Sequence, residues 1–475
     1  MKVIKKGEEG RTAVLNGMNE VADLVKGTYG PNGTNVALER RGQAPLITND
    51  GFTIVNDVEL EDEIENIGAQ YVKYASRETN KTAGDGTTGA IILTQAISNN
   101  TELGGLGGNE MEARRKIMAS CDEVIEKLDE MAKPIKKIED IENVASISAE
   151  SHKLGAIVAE AIEKVGKHGS IQVEETDGKT EAFVTQGFEI QKGYVAPTMI
   201  TDPARMRADY KNVPIMVCNT AIKSMEQLGP FLQRISAQGI NKMVIVADAF
   251  EGNTLQALII ARLQGQFSAL CLETPGFGNR GEEEIIDLAT AVGATVIEKI
   301  EEATPEMLGK SERVISDADT TIFRGTVDTK ERIALLENQI ESSPDKEWVE
   351  GRIAQLAGGV GVVRVGGATK GEREYKVLKI EDAINATQAA IEEGVVPGGG
   401  LALKEIAESM TDGNILKEAL MAPYNQIQAN GTLKIPKSIV DPVKVVKEGL
   451  KNACSVAGTL ITTKGAVADK IKEDD

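Results

Sequence analysis

The texture of the chain changes near residue 186 and changes back near residue 360, and this interruption limits the folds open to it. Inside the interval, short apolar runs such as MVIVA at 243–247 precede helical stretches bounded by Gly252 and Gly265. Strand-length runs alternating with helices imply an α/β domain. Glycines flank the interval, Gly187 and Gly193 on one side and GGVGVVRVGG at 358–367 on the other, and backbone freedom there suggests hinges. Before the interval, residues 111–132 place Ile117, Cys121, Val124, Ile125, Leu128 and Met131 at helical spacing, and Pro134 ends the run. That spacing predicts an amphipathic helix with one buried face. After it, DAINATQAAIEEG at 382–394 predicts a short helix with Asp382 at its start and glycine at its stop. A chain of 475 residues has room for about three domains.

Charge and rare residues exclude more than they identify. With 73 acidic against 53 basic residues and a net charge of -20, neither nucleic acid nor an anionic membrane surface is an expected partner. His152 and His168 are the only histidines, which leaves almost no material for a catalytic triad or a His-rich metal centre. Hydrolytic chemistry, if present, must rest on carboxylates. Cys121, Cys218, Cys271 and Cys454 are widely separated and form no CxxC pair, as in a reducing compartment. The N-terminal MKVIKKGEEGR carries no apolar run behind its charges, and no stretch approaches membrane-spanning length, so a soluble, cytoplasmic protein is expected. The terminal KIKEDD is expected to fray.

The strongest local signal is AGDGTTG at 83–89. Gly84 and Gly86 free the backbone, Thr87 and Thr88 can cap the helix that begins AIILTQAI, and a helix start with free amides binds phosphate. Asp85 would repel a phosphate unless a divalent cation lay between them, which suits magnesium. An ordinary Asp-Gly turn followed by a threonine cap explains the same residues. TYGPNG at 28–33, NDG at 49–51 with Asp50 in a tight turn, and VPGGG at 396–400 are equally open to either reading. Asp382 could orient water as a base, or it could simply cap its helix. In the central interval, Leu258, Ile259 and Ile260 span more arc than one apolar stripe needs, so part of that surface is expected to be exposed. Leu228, Phe231, Leu232 and Ile235 form an ordinary core-facing stripe in a helix at 226–238.

Taken in order, TYGPNGTNV, TNDGFTIVNDVELED, NIGAQYVK, AGDGTTG, ISAES, VGKHGSIQVEE, TPGFGNR, LAGGV, VRVGGAT, EDAINATQAAIEEGVVPGGG and SVAGTLITT closely resemble the group I chaperonins of the GroEL type, nearly end to end. The resemblance implies an α/β multidomain chaperonin fold. A mainly helical equatorial domain would comprise 1–130 and 393–475, a small α/β intermediate hinge 131–185 and 361–392, and an α/β apical domain 186–360. It also implies an ATP-driven folding machine using ATP, Mg2+ and K+, in which Asp85 holds magnesium, Asp382 activates water and Asp50 assists catalysis. Thr28, Tyr29, Gly30, Pro31, Gly86, Thr87, Thr88 and Gly399 would line the nucleotide pocket, and Asp441 would hold the ribose. Tyr194, Leu232, Leu255, Ile259 and Ile260 would present an apolar groove to non-native polypeptides and to a co-chaperonin lid, within a homo-oligomeric, heptameric ring.

Several positions depart from the family pattern. The segment that covers the adenine is compressed to ANGTLKIPKSIV ahead of Asp441, the usual lysine before Asp50 is Asn49, and the third threonine of the phosphate loop is Gly89. Gly229, Thr198 and Met199 stand where larger apolar or aromatic groups are common, and the glycine- and methionine-rich tail of many members is absent. These changes leave a second expectation, a non-hydrolysing holdase or structural ring subunit. A kinase-like or dinucleotide enzyme lacks its motif context here.

Overall fold

The computed structural model describes residues 2–40, 45–100, 109–166, 169–276, 278–325, 327–340, 343, 345–432, 434–436 and 438–470. His168, Leu433 and Lys437 of the compressed segment, and residues 471–475 of the charged tail lie outside the described residues. In chain order the first elements are β1 (Lys2–Lys6), α1 (Gly7–Lys26), β2 (Val36–Leu38), β3 (Leu46–Thr48), α2 (Gly51–Asp57), α3 (Glu63–Ala83), α4 (Thr87–Ser98), α5 (Glu110–Met131), α6 (Ile138–Ser148) and α7 (His152–Val165). There follow β4 (Ile171–Thr176), β5 (Glu181–Ile190), β6 (Ala208–Val217), α8 (Met225–Ala237), β7 (Lys242–Ala247), α9 (Thr254–Leu263), β8 (Ser268–Glu273), α10 (Gly278–Val292), β9 (Gly309–Ser316) and β10 (Thr321–Arg324). The last are α11 (Lys330–Gln339), α12 (Lys346–Ala357), β11 (Gly359–Gly366), α13 (Lys370–Glu393), β12 (Val395–Pro397), α14 (Leu401–Ser409), α15 (Lys417–Leu420), α16 (Ala422–Ala429), β13 (Val440–Pro442), α17 (Val443–Ile461) and β14 (Gly465–Asp469).

The chain divides into two compact units, one of residues 1–163, 173–182 and 363–475, the other of residues 164–172 and 183–362. The second unit is the α/β interval. Its strands belong to a sheet of order β4-β11-β5-β10-β9-β6-β7-β8. β6, β7 and β8 are parallel, with Ile215 beside Val244 and Met243 beside Ala269, and α8 and α9 make the crossovers that parallel neighbours require. Met243 to Ala247 are all buried, because a parallel strand covered on both faces reads as a continuous apolar run rather than an alternating one. α8 buries Leu228, Phe231, Leu232 and Ile235, the stripe its sequence predicts.

Most glycines of the flanking clusters stand in strands rather than in hinge loops; Gly193, just past β5, does not. Gly187 lies in β5, residues 359–366 form β11, and none of these glycines has positive φ. What glycine supplies there is close approach. A Cβ on Gly187 would lie 2.3 Å from Val360 Cγ2, and one on Gly359 would lie 2.3 Å from Val184 Cγ1.

The first unit is mostly helical. α1 crosses α3 at reciprocal glycines: a Cβ on Gly17 would lie 1.9 Å from the Glu65 carbonyl oxygen, and one on Gly68 would lie 1.9 Å from that of Val14. Around this backbone contact, Val14, Met18, Val21 and Val25 pack with Ile64, Val72 and Ile91. α5 buries Ile117, Cys121, Val124 and Leu128 against Leu450, Ala453, Cys454 and Ala457 of α17, and Asn109 caps it by accepting from the Glu112 amide at 3.1 Å. All four cysteines are buried free thiols.

α13 departs from its sequence expectation. It begins at Lys370, where Thr369 Oγ1 accepts from the Glu372 amide at 3.2 Å, so Asp382 stands in mid-helix and caps nothing. The stretch KGEREYKVLKIE contains good helix formers, and tertiary packing carries the helix through it.

Because the α1–α3 crossing has no room for a methyl group, Gly68→Ala should lower stability by about 1–3 kcal/mol. The check is the urea midpoint of the purified protein; an unchanged midpoint would contradict this close packing.

Candidate functional site

The site is built on the connection between α3 and α4. α3 ends at Gly84 (φ 68°) and α4 starts after Gly86 (φ 79°), two left-handed positions on either side of Asp85. Side chains are excluded at both: a Cβ on Gly84 would lie 2.5 Å from Asn385 Cβ, and one on Gly86 2.4 Å from Val445 Cγ1. Thr87 and Thr88 are the first two helical residues rather than caps, and Gly86, at the cap position, has no side chain to offer. The opening amides of α4 are therefore free of side-chain capping at the positive end of the helix dipole, an arrangement suited to anions.

Three carboxylates come to this place from three distant segments. Asp85 accepts from the Gly86 amide and, at 3.0 Å, from Ser148 Oγ at the end of α6. Asp50, which the sequence placed in a tight turn, is the N-cap of α2 and accepts from Phe52 and Thr53 amides at 3.3 and 2.8 Å. Asp382 projects from α13, which Asn385, three residues further on, pins to the loop by donating to the Gly84 carbonyl at 3.1 Å. Lys379, three residues before Asp382 and 6% exposed, donates to Glu150 Oε1 at 2.7 Å. Asn49 Nδ2 donates to the same oxygen at 3.2 Å, while Asn49 Oδ1 is buried without a hydrogen-bond partner among the described residues.

Electrostatics follow from this crowding. Burial, then the nearby charges of Asp50 and Asp85, pushes the Asp382 carboxyl well above the usual carboxylate range, with Lys379 only partly offsetting them. Burial likewise raises Asp85, against the Gly86 amide, Ser148 and Lys379. Burial works against the charged form of Lys379, yet the Glu150 carboxylate holds it above its ordinary value. Asp441, in β13, is raised to about 6 by burial and by Asp85, against the Gly399 and Gly400 amides; the Gly399 amide donates to its Oδ2 at 2.9 Å.

Tyr29, Asp85, Gly86, Gly89 and Asp441 line one cleft of about 160 Å³, walled by Leu93, Leu403, Val445 and Val446. Thr88 Oγ1 would lie 2.3 Å from a Cβ on Gly51, which ties the start of α4 to that of α2, and Thr87 is buried beside it. Other residues expected in the pocket are placed differently. Thr28 is buried with Oγ1 donating to the Val25 carbonyl at 2.8 Å, so its hydroxyl serves the end of α1. Gly30 turns the chain beside Ile427, Pro31 is exposed, and Gly399 contributes through its amide to Asp441. Among the described residues no three His, Cys, Asp or Glu side chains stand close enough to hold a metal ion by themselves, so a cation at Asp85 needs phosphate oxygens to fill its shell. The residues present fit such a shared site: the uncapped amides at the start of α4 stand beside the Asp85 carboxylate.

In the other unit, Leu255 and Ile259 of α9 are partly buried, Leu258 is buried and Ile260 is 52% exposed, so the over-wide apolar arc does reach solvent. Leu263, which sequence reasoning passed over, is 76% exposed on the same helix. Tyr194 is partly buried and donates to the Met206 carbonyl at 3.4 Å. Leu232 corrects its expected role: it is 9% exposed and packs into the core, so it offers little of itself to a docking chain.

The sequence model of the TCP-1/cpn60 chaperonin family matches residues 21–414. The chain belongs to that family. Among solved structures, this chaperonin is similar to the chaperonin gp146 of bacteriophage EL 2 (Pseudomonas aeruginosa), crystallised in the presence of ATP-BeFx. Crystal form II gives a TM-score of 0.68 at 20% identity, over 99% of this chain and 100% of that one. Crystal form I gives 0.63 at 19% identity, over 98% and 99%. The fold is thus the multidomain chaperonin fold that the motifs imply. No helix among the described residues is long and apolar enough to cross a membrane.

Ser148, Glu150 and Asn385 lie in motifs quoted from the sequence, but neither they nor Lys379 carried a site role there. Lys379 and Asn385 flank Asp382 at three-residue spacing on one helix face, a signal hidden when the helix is started at Asp382. Asp441 supplies a pH test. Its folded-state value is raised, so its contribution to stability is present below the ordinary carboxylate range and is lost as pH rises through about 6. Asp441→Asn should therefore raise the melting temperature of the nucleotide-free protein at pH 7.5, with the difference from the natural sequence closing near pH 4. Equal melting temperatures at pH 7.5 would contradict the burial of a charged carboxylate.

Proposed function

We propose that this chaperonin is an ATP-hydrolysing subunit that binds non-native polypeptides and promotes their folding inside a homo-oligomeric ring. The observation that carries the reading is Asp382 in mid-helix: relieved of any capping duty, it faces Asp85 and Asp50 beside the uncapped start of α4. A carboxylate with a raised proton affinity is a competent base for water attacking the terminal phosphorus. The α4 amides bind phosphate oxygens, Asp85 shares a magnesium ion with them, Asp50 adds charge to the same recess, and Asp441 accepts from the ribose. Magnesium, when bound, neutralises phosphate charge and orients the chain of phosphates; K+ enters the proposal through the family resemblance. That a structural relative was crystallised with ATP-BeFx supports nucleotide binding here.

Ring assembly is supported by the β1–β14 ribbon. Ile4 and Val467 face one another in register and are each 56% exposed, an apolar cross-strand pair suited to burial against another subunit. Client binding is assigned to the exposed side of α9, where Ile260 and Leu263 recognise apolar side chains without sequence preference. A co-chaperonin lid, a heptameric ring, the three-domain division and a cytoplasmic location complete the reading by resemblance. The short segment at 429–440 and the neutral Asn49 favour the alternative, a holdase that captures clients without turnover.

Steady-state phosphate release from ATP separates them. The assembled natural protein should turn over with magnesium, and Asp382→Ala should reduce kcat by at least about 100-fold. Client capture by a natural protein that releases no phosphate would overturn the ATPase reading and leave the holdase.

A further inference from the structure

Tyr29 is the one polar side chain lining the nucleotide cleft that is neither a carboxylate nor already committed to a hydrogen bond among the described residues. Its backbone is fixed from outside: Asn430 Nδ2 donates to the Tyr29 carbonyl at 2.8 Å and to that of Lys26 at 2.9 Å. The ring lies against Gly89, where a Cβ would stand 3.5 Å from the phenol oxygen and 3.9 Å from Cζ. Tyr29 shares the cleft with Asp85 and Asp441. Burial first, then those two carboxylates, raises its proton affinity, so the hydroxyl remains a neutral donor across the working pH range.

No lysine or arginine lines the cleft among the described residues, and the nearby Lys379 is bound to Glu150. An anion entering here meets only neutral donors and whatever cation it brings. Resting on the nucleotide reading above, with Asp85 at the metal end and Asp441 at the sugar end, we infer that the Tyr29 hydroxyl binds the middle of the nucleotide, donating to an α- or β-phosphate oxygen. Tyr29 then supports binding of nucleoside di- and triphosphates alike. The terminal phosphate and its cleavage are left to Asp85, Asp50 and Asp382.

Calorimetric titration of the assembled protein with Mg-ATP and with Mg-ADP, natural sequence against Tyr29→Phe, tests this. Loss of one hydrogen bond to a charged group should raise both dissociation constants by about tenfold. The nucleotide-free melting temperature should stay unchanged, which separates loss of a ligand contact from loss of stability. Unchanged affinities in Tyr29→Phe would overturn the inference while leaving nucleotide binding intact. A loss confined to ATP would overturn it too, by moving the contact to the terminal phosphate. Absence of binding by the natural protein would instead overturn the nucleotide reading on which the inference rests.

Discussion

Asp50, Asp85 and Asp382 repel one another, and partial burial makes that repulsion costlier than it would be in water. Nothing in their own segments favours the meeting. It is imposed by tertiary contacts: Asn385 to the Gly84 carbonyl, Ser148 to Asp85, and the Lys379–Glu150 pair that Asn49 also joins. Glu150 itself has a left-handed backbone (φ 52°), a conformation uncommon outside glycine. Lys379 is paired with Glu150, so little positive charge is left to offset the three crowded carboxylates.

The nested order of the chain is what lets such a recess exist. Its residues come from positions near 29, 50, 85, 150, 382, 400 and 441, all within one unit, while most of the α/β unit lies between them in sequence. Helix crossings at Gly17 and Gly68 bring the α1 and α3 backbones into contact, and Gly84 then ends α3 just before Asp85. The function proposed couples this recess to the exposed apolar side of α9.

The sequence was most legible where a local pattern and the tertiary fold agree. The α5 stripe, the buried MVIVA strand and the α8 stripe each stand within a residue or so of their expected positions, since periodicity reports burial directly. It was least legible where tertiary packing overrides a local preference. Asp382 resembles a helix cap by residue type, but α13 runs through it; Thr87 and Thr88 resemble caps, but Gly86 holds that position. The glycines of 358–367 suggest a hinge, yet their missing side chains serve strand contact. Leu232 could be read as core or as surface, and only the packing of α8 decides for core. The Lys379–Glu150 pair could not be found locally at all, because its partners are separated by 229 residues.

Titration of ATP into the assembled protein, with excess magnesium and again with excess EDTA, decides whether the carboxylate recess accepts nucleotide only together with its cation. Surplus negative charge at Asp50, Asp85 and Asp382 predicts that removing magnesium weakens ATP binding by at least about a hundredfold. Equal affinity in EDTA would contradict a site whose carboxylates serve to hold a metal–nucleotide complex.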